Sequence, residues 1–423
     1  MSLGYCLFCL ASLLTTLNLY RPPTKNGTLG LLAFIIGVLV GELAPFFLLL
    51  QVAVVALCAS EGLLQQPANL LFSLLLLPSW LGLITALHRA NRSADGLRQQ
   101  LDNFTLETET APLDWRRIAR PFSIRLSDVI CEKDIPYREV DSQTLALDLY
   151  RPRYRERTAH RDKAPVLLYF HGGGLLEIGG SRRGQGLPLL NELASRGWCC
   201  VSIDYRLSPR NRWPAHLLDC KAALHWIKQQ IAGYGGDADF VAVAGDSAGG
   251  QLAALMALTA NCAALQIESP ALDSRVQAAI CHYGVMDFCN LYHSAHNDSG
   301  AMRWARDVIQ ADIADSRHAA QFRSASPIAC AEDIADRNTI PDCLLIHGSH
   351  DSLVAAAESR LLAEKLRQVS SCKVLYAEIP GAQHAFNVFR SLRSERVLAE
   401  TVRFAEHCHQ RWQQESGKNT AAR

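Results

Sequence analysis

Charged side chains are almost absent from the first 87 residues of this 423-residue chain, which carry only Arg21, Lys25, Glu42 and Glu61. The residues from His88 onward have the mixed composition of a soluble protein, so the chain divides into an apolar region and a larger polar one. The net charge is +1 and no basic stretch occurs, which argues against a nucleic-acid partner. No internal repeat or low-complexity segment is present.

The fourteen cysteines lack the regular spacing of a metal site. Eleven of them lie after residue 88, and none of these eleven forms a C-x-x-C pair. A domain of this size builds its own core and does not need a disulfide framework. We therefore interpret the cysteines as free thiols in a reducing compartment, and we expect neither a metal nor a cofactor.

Three apolar runs predict an all-α transmembrane region over residues 1–88, with spans at about 3–20, 29–58 and 69–87. A cleaved signal peptide is the rival interpretation of the first run, but a basic start and an A-x-A site are missing. The second run is too long for a hydrocarbon core of about 30 Å. It must tilt strongly or break, and we expect the break between Gly41 and Pro45.

Glu42 lies inside the second predicted span, where an ionisable residue indicates a functional site. The alternative is that Glu42 lies near a helix break, reaches the interface or faces a neighbouring span. A small transporter is a rival suggested by Glu42 alone, and three spans without a repeat give it little support.

Positive charge predicts which side of the membrane the polar region occupies. Arg21 and Lys25 lie between the first two predicted spans, Glu61 between the second and third, and Arg89 and Arg92 after the third. This alternation places the N-terminus outside and the polar region in the cytoplasm. A re-entrant second run would reverse the assignment.

Residues 89–127 connect the two regions. Leu97, Leu101 and Phe104 recur at helical spacing and predict one amphipathic helix, and a second is predicted from Pro112 to Ala119. These helices either belong to a cap beside the active site or form a solvated linker.

Residues 128–423 alternate between short apolar strands and helices, which predicts a mostly parallel sheet covered on both faces. Two of the clearest helices are Ala215–Ile231 and Ala355–Val369. The predicted strands are Val129–Ile135, Leu145–Tyr150, Pro165–Phe170, Trp198–Ile203, Phe240–Ala244, Val276–Tyr283, Cys343–His347 and Lys373–Ile379.

Ser247 lies in G-D-S-A-G, directly after the strand Phe240–Ala244 and before a run typical of a helix. A serine at such a turn is exposed at the carboxyl end of its strand, and Gly245 and Gly249 allow the strand and helix to approach. Trypsin-like proteases carry a similar motif, but their His and Asp precede the serine. The candidate partners of Ser247 follow it.

The loop His171-Gly172-Gly173-Gly174 follows the strand Pro165–Phe170. Its glycines can turn their N–H groups toward one point and form an oxyanion hole with Ala248, the residue after the nucleophile. We expect His171 to hold this loop in place rather than to transfer protons.

Asp351 follows the strand Cys343–His347, and His384 follows the last predicted strand. A carboxylate at a strand end can fix the tautomer of a histidine. The alternative is that Asp351 caps a helix beginning at Leu353. His293 and His296 resemble a metal pair only superficially, because no carboxylate pattern surrounds them.

Taken in order, H-G-G-G, G-D-S-A-G-G, D-x-L-V and H-A-F resemble the hormone-sensitive-lipase-like carboxylesterases of the α/β-hydrolase fold. D-Y-R-L-S-P at 204–209 and Y-G-G-D-A-D at 234–239 are also similar to that group. The resemblance covers roughly residues 128–409. It implies Ser247 as nucleophile, His384 as general base and Asp351 as its orienting acid. It also implies an oxyanion hole from Gly172, Gly173 and Ala248.

Two positions depart from the family's pattern near the expected substrate entrance. Arg210 stands where the family often has Glu, and Leu175-Leu176-Glu177 replaces residues that usually include an aromatic. The acyl-chain preference of the family therefore does not carry over.

The sequence predicts a membrane-anchored serine carboxylesterase or lipase acting on short- to medium-chain esters, either small molecules or lipids. A deacetylase, amidase or acyltransferase on a lipid or carbohydrate is the alternative enzyme. A catalytically inactive binding module is the alternative from another class, and the oligomeric state stays open.

Overall fold

The computed structural model describes residues 3–24, 27–103, 112–153, 163–177, 179–266, 273–288, 290–296, 298–334 and 336–421. Phe104, part of one predicted helix, lies outside these ranges.

The N-terminal region is a small assembly of helices. They are α1 (Leu3–Asn18), α2 (Gly27–Glu42), α3 (Ala44–Ser60), α4 (Pro67–Ser73) and α5 (Leu76–Asn91). The second apolar run breaks inside the predicted segment, and the axes of α2 and α3 differ by 81°. Leu43 joins the two helices, and Pro45, whose missing N–H is tolerated in a first turn, lies at the start of α3.

One helical stretch of the described chain, Pro67–Asp102, is long and apolar enough to cross a membrane, and the bent pair α2–α3 could form a second crossing. Helix α1, with 16 residues, is shorter than a full span. The structure therefore supports an apolar helical region, but it does not show the predicted three spans.

Two helices of the connecting segment are α6 (Asp95–Asp102) and α7 (Trp115–Ile118). Leu97 and Leu101 of α6 are buried in the core of the polar region. Ile118 of α7 packs on Ala90 and Leu392. The connecting segment is thus joined to the body of the protein on the side of its C-terminal helix.

All eight predicted strands are present in one sheet of order β1-β2-β4-β3-β5-β6-β7-β8. Strand β2 pairs antiparallel with β1 and β4, and the other pairs are parallel. The strands are β1 (Val129–Val140), β2 (Gln143–Pro152), β3 (Ala164–Phe170), β4 (Cys199–Ile203), β5 (Gly236–Asp246), β6 (Ala278–His282), β7 (Asp342–Gly348) and β8 (Val374–Ile379).

Helices cover both faces of this sheet, as the apolar strands predict. Along β3, Val166, Leu168 and Phe170 belong to one core cluster, while Leu167 and Tyr169 belong to the other. The helices are α8 (Leu187–Ser195), α9 (Ala215–Gln230), α10 (Ala248–Leu258), α11 (Asp298–Ile309), α12 (Ala319–Ala325), α13 (Pro327–Asp333), α14 (Ala356–Val369) and α15 (Leu392–Ala421).

Helix α2 packs directly on the polar region through small residues on one face. A side chain added at Gly37 would meet Gln383 at 3.2 Å, and the carbonyl of Gly30 accepts a 2.9 Å hydrogen bond from Ser352 Oγ. At the end of the helix Glu42 is buried and pairs with Arg393. Glu42 is therefore an interdomain ion-pair partner.

Candidate active site

The turn between β5 and α10 holds Ser247 in a conformation that few side chains adopt, with φ +56° and ψ −121°. A Cβ at Gly245 would lie 2.1 Å from the carbonyl oxygen of Gly249, and one at Gly249 would lie 2.0 Å from that of Phe170. Glycine is thus required at both positions by the close approach of backbone to backbone. The turn presents the Ser247 hydroxyl at the carboxyl end of the sheet.

The structure brings Ser247, His384 and Asp351 into one hydrogen-bonded chain. Nδ1 of His384 lies 2.6 Å from Oδ2 of Asp351, and Nε2 lies 2.9 Å from Oγ of Ser247. A carboxylate only accepts, so Nδ1 carries the proton and Nε2 accepts from the serine hydroxyl. This is the arrangement in which a histidine can remove the proton of a serine.

Asp351 is buried, and its two oxygens have different partners. Oδ1 accepts from the backbone N–H groups of Leu353 and Val354, at 2.9 and 2.8 Å. Oδ2 accepts from His384 and lies 3.2 Å from Nε2 of His347. Burial opposes ionisation, but the adjacent His384 and the hydrogen bonds of both histidines hold the pKa of Asp351 below its usual range. The carboxyl is therefore ionised at neutral pH.

The alternative that Asp351 caps a helix beginning at Leu353 is wrong, because α14 begins only at Ala356. Asp351 instead stabilises the turn that precedes this helix. It fixes that turn with one oxygen and contacts His384 with the other. Holding the turn and contacting His384 are thus divided between the two oxygens.

A cavity of about 560 Å³ lies above Ser247 and His384, within the usual size of small-molecule sites. Its walls come from the glycine loop, the residues after β6, the start of α11, the turn that precedes α14 and the N-terminal region. The N-terminal residues that line it are Thr24, Gly27 and Phe34. The ring centroid of Phe34 lies 5.9 Å from that of His384, in an edge-to-face arrangement.

The glycine loop borders the cavity through Gly173 and Gly174. The N–H of Gly172 donates a 2.6 Å hydrogen bond to Oε1 of Gln185, so it is not available to an oxyanion in this structure. This contradicts the predicted role of Gly172. Ala248 is the first residue of α10, where an N–H has no acceptor within the helix.

His171 is buried behind the loop and stacks on Tyr205. Its Nδ1 donates to the carbonyl of Gly172 at 2.7 Å, and the Tyr205 hydroxyl donates to the carbonyl of His171. Burial lowers the pKa of His171 to about 4, which leaves the ring neutral at pH 7. These contacts fix the loop from behind, away from the reacting atoms.

Several side chains at the site were given no role by the sequence motifs, among them Phe34, His296, His347 and Glu358. Nε2 of His296 donates to the carbonyl of Asp351 at 2.8 Å. Glu358 lines the cavity, and burial raises its pKa to about 7. Sequence spacing does not reveal these residues, because their contacts arise only from the fold.

The two departures from the family pattern contact each other. Nε of Arg210 lies 3.1 Å from Oε1 of Glu177, and the arginine is largely exposed. An exposed pair of this kind adds little stability. The pair connects the segment after the glycine loop with the loop after β4.

Comparison with known proteins gives a consistent set of relatives. Residues 147–366 match the family model described as BD-FAE. A Mycobacterium tuberculosis protein described as a probable carboxylic ester hydrolase, LipM, is 37% identical over 403 residues, which is 92% of this chain and 89% of that protein. Esterase LipQ of the same organism is 40% identical over 272 residues, which is 64% of this chain and 60% of that protein.

Solved structures agree at the level of the fold. Esterase 2 of Thermogutta terrifontis, phosphonylated by sarin, has a TM-score of 0.53 at 23% identity and covers 64% of this chain and 92% of that chain. An esterase of Pyrobaculum calidifontis has a TM-score of 0.51 at 22% identity and covers 75% of this chain and 92% of that chain. The LipM match extends over more residues than the polar region contains, so it includes part of the apolar helices.

Proposed function

Because the chain belongs to the hormone-sensitive-lipase-like carboxylic ester hydrolases of the α/β-hydrolase fold, we propose that it hydrolyses esters through an acyl-enzyme on Ser247. The observation that carries this proposal is the continuous contact from Asp351 through His384 to Ser247 at the floor of the cavity. His384 takes the hydroxyl proton as Ser247 attacks the ester carbonyl. It returns this proton to the leaving alcohol.

Water then enters, His384 removes its proton, and the hydroxide attacks the acyl-enzyme. The same proton is passed to Ser247 as the carboxylic acid leaves. Asp351 stays ionised and stabilises the imidazolium that forms in each half-reaction. No metal or cofactor takes part in this scheme.

For the oxyanion we propose the N–H groups of Gly173 and Ala248, with Gly174 next to them. Gly173 and Gly174 border the cavity that holds Ser247. Ala248 contributes an N–H at the positive end of α10. Gly172 serves instead to anchor the loop on Gln185.

The proposed substrates are short- to medium-chain carboxylic esters, either small molecules or lipids. The cavity volume of about 560 Å³ and its largely apolar lining favour an acyl group of this size. We further propose that the N-terminal helices attach the enzyme to a membrane, with the catalytic region on the cytoplasmic side. The apolar stretch Pro67–Asp102 supports this attachment.

Ser247→Ala tests the nucleophile. Loss of a triad member typically lowers turnover by about 10⁴- to 10⁶-fold, so hydrolysis of p-nitrophenyl butyrate and labelling by a fluorophosphonate should both disappear. Ser127→Ala, at an exposed position, is the matched control and should retain both. Retention of more than a few per cent of activity by Ser247→Ala would refute the assignment. Labelling of the wild-type protein without hydrolysis would instead indicate an acceptor other than water.

A further inference from the structure

Helix α2 separates the active-site cavity from a second, very different surface. On its inner side Phe34 lies against His384, and Gly27 at its start lines the cavity. On its outer side five large apolar side chains are exposed: Leu29, Leu31, Leu32, Ile35 and Leu39. One helix thus forms the thin wall between Ser247 and this apolar exterior.

The exterior continues onto the neighbouring helices. Large apolar side chains stay exposed along α1, α3, α4 and α5, among them Leu7, Leu14, Leu49, Leu57, Leu71 and Leu81. A water-soluble protein rarely exposes a continuous surface of this kind. Because the first 87 residues carry almost no charge, lipid hydrocarbon matches this apolar surface better than a charged partner does.

The wall is fixed to the catalytic region at both ends. Ser352 Oγ donates to the carbonyl of Gly30, and Ser391 Oγ donates to Glu42 at 2.5 Å. Ser352 follows Asp351 directly in the chain. The cavity therefore lies beside the apolar exterior in the folded enzyme as described, without any movement of α2.

We propose that the substrate is an ester dissolved in a lipid bilayer, that it reaches Ser247 along α2, and that its acyl chain packs on Phe34. This inference rests on the proposed esterase function. Gly27 and Leu353 are both exposed and both border the cavity, so its mouth begins next to the outer face of α2. Passage through water would disfavour the ester about fourfold for each methylene. Entry along α2 avoids that cost, which grows with chain length.

The full chain in phosphatidylcholine vesicles tests this route. A medium-chain ester dissolved in the bilayer is held at constant total concentration while its surface fraction is diluted with added phosphatidylcholine. The rate should fall in proportion to the surface fraction. The rate on p-nitrophenyl acetate, which is presented from water, should not follow the dilution. A rate on the medium-chain ester that does not change with the surface fraction would overturn the proposal.

Phe34→Ala tests the contact with the acyl chain. Removing this side chain should lower the ratio of kcat/KM for the medium-chain ester to that for acetate about tenfold, because part of the apolar contact is lost. Ile35→Ala alters the next residue, on the outer face, and should keep the wild-type ratio. An equal loss on both substrates would show that Phe34 only supports His384, and would overturn its role in specificity.

Two further readouts separate the possible failures. If the wild-type chain hydrolyses neither ester and a fluorophosphonate does not label Ser247, the proposed function itself fails. If acetate is hydrolysed and the bilayer ester is not, only the route from the bilayer fails. A photoreactive side chain at position 35 should capture lipid, and capture of a second copy of the chain would assign the outer face to a dimer.

Discussion

The two oxygens of Asp351 have separate partners, because one holds a turn and the other contacts His384 of the proposed triad. Asp351→Asn can keep the oxygen that accepts from Leu353 and Val354. The new amide would donate to Nδ1 of His384, which forces the proton onto Nε2 and leaves the imidazole unable to accept from Ser247. We expect turnover to fall by about 10⁴-fold.

Asp312→Asn is the matched control for this change, because Asp312 holds an exposed turn through a 2.9 Å bond from the N–H of Ala314. Turnover is measured at a temperature at which circular dichroism shows both variants folded. Near-wild-type turnover in Asp351→Asn would remove Asp351 from the proposed triad.

Glu358 makes the stability of the enzyme depend on pH. Burial raises its pKa from 4.5 to about 7, so the folded state binds this proton more tightly than the unfolded state does. The stability that protonated Glu358 contributes is therefore lost as pH rises from about 4.5 to 7. At 1.36 kcal/mol for each pKa unit, this contribution amounts to roughly 3 kcal/mol. Glu358→Gln mimics the protonated form and should not show this loss.

The quantity to measure is the difference in unfolding free energy between Glu358→Gln and the wild-type chain at pH 5 and pH 8. The difference should shift in favour of the variant at the higher pH. Other titrating groups are common to both proteins and cancel in the comparison. A difference that is equal at both values would mean that Glu358 titrates normally.

At the residue scale, the sequence identified the three residues of the proposed triad but only part of their surroundings. The order of the motifs was sufficient to find Ser247, Asp351 and His384. The assignment of Gly172 failed because its N–H is taken by a side chain from another turn, Gln185. Phe34 could not be found from spacing, because 350 residues separate it from His384 and only the fold joins them.

At the scale of elements, α2 is stabilised by an interaction between distant parts of the chain. Glu42 is buried against Arg393 and accepts from Ser391. Removing one partner of a buried ion pair typically costs about 3–5 kcal/mol, since the other charge stays buried without compensation. Glu42→Gln should therefore lower the melting temperature of the full chain in detergent.

Glu61→Gln is the control for this variant, because Glu61 lies in an exposed turn at the end of α3. We expect Glu42→Gln also to lose turnover, since Arg393 follows the segment that carries His384. Equal melting temperatures and equal turnover in the two variants would show that the pair does not hold α2 in place.

The strands were predictable because each strand's own apolar pattern identifies it, and the helices between them indicate a mostly parallel sheet. The break after Glu42 was predictable from Gly41 and Pro45 for the same local reason. The packing of α2 on the polar region was not predictable, because it depends on contacts with Ser352, Gln383 and Arg393.

At the scale of the whole molecule, Arg21 and Arg89 lie at the same end of the N-terminal helices. The guanidinium of Arg89 lies 5.1 Å above the ring of Tyr20, so the ends of α1 and α5 are adjacent. The same end contacts the catalytic region, because His350 donates to the carbonyl of Leu19 at 2.6 Å. Glu61 lies about 25 Å away, beyond the 17 residues of α3.

This arrangement predicts a cytoplasmic catalytic region, because positive charge favours that side. Alkaline phosphatase, which is active only outside the cytoplasm, should be inactive when fused after Arg423 and active when inserted after Gly62. Activity of the C-terminal fusion would reverse the assignment. Inactivity of both fusions would indicate that α3 does not cross the membrane.

The contacts of the N-terminal helices also constrain the order in which the cavity forms. Leu19, Gly30 and Glu42, near the start of the chain, bond to His350, Ser352 and Ser391, near its end. The first group leaves the ribosome long before the second has been synthesised. The cavity is therefore closed only when the end of the chain has folded against α2. Under the membrane attachment proposed above, this last step takes place beside the bilayer.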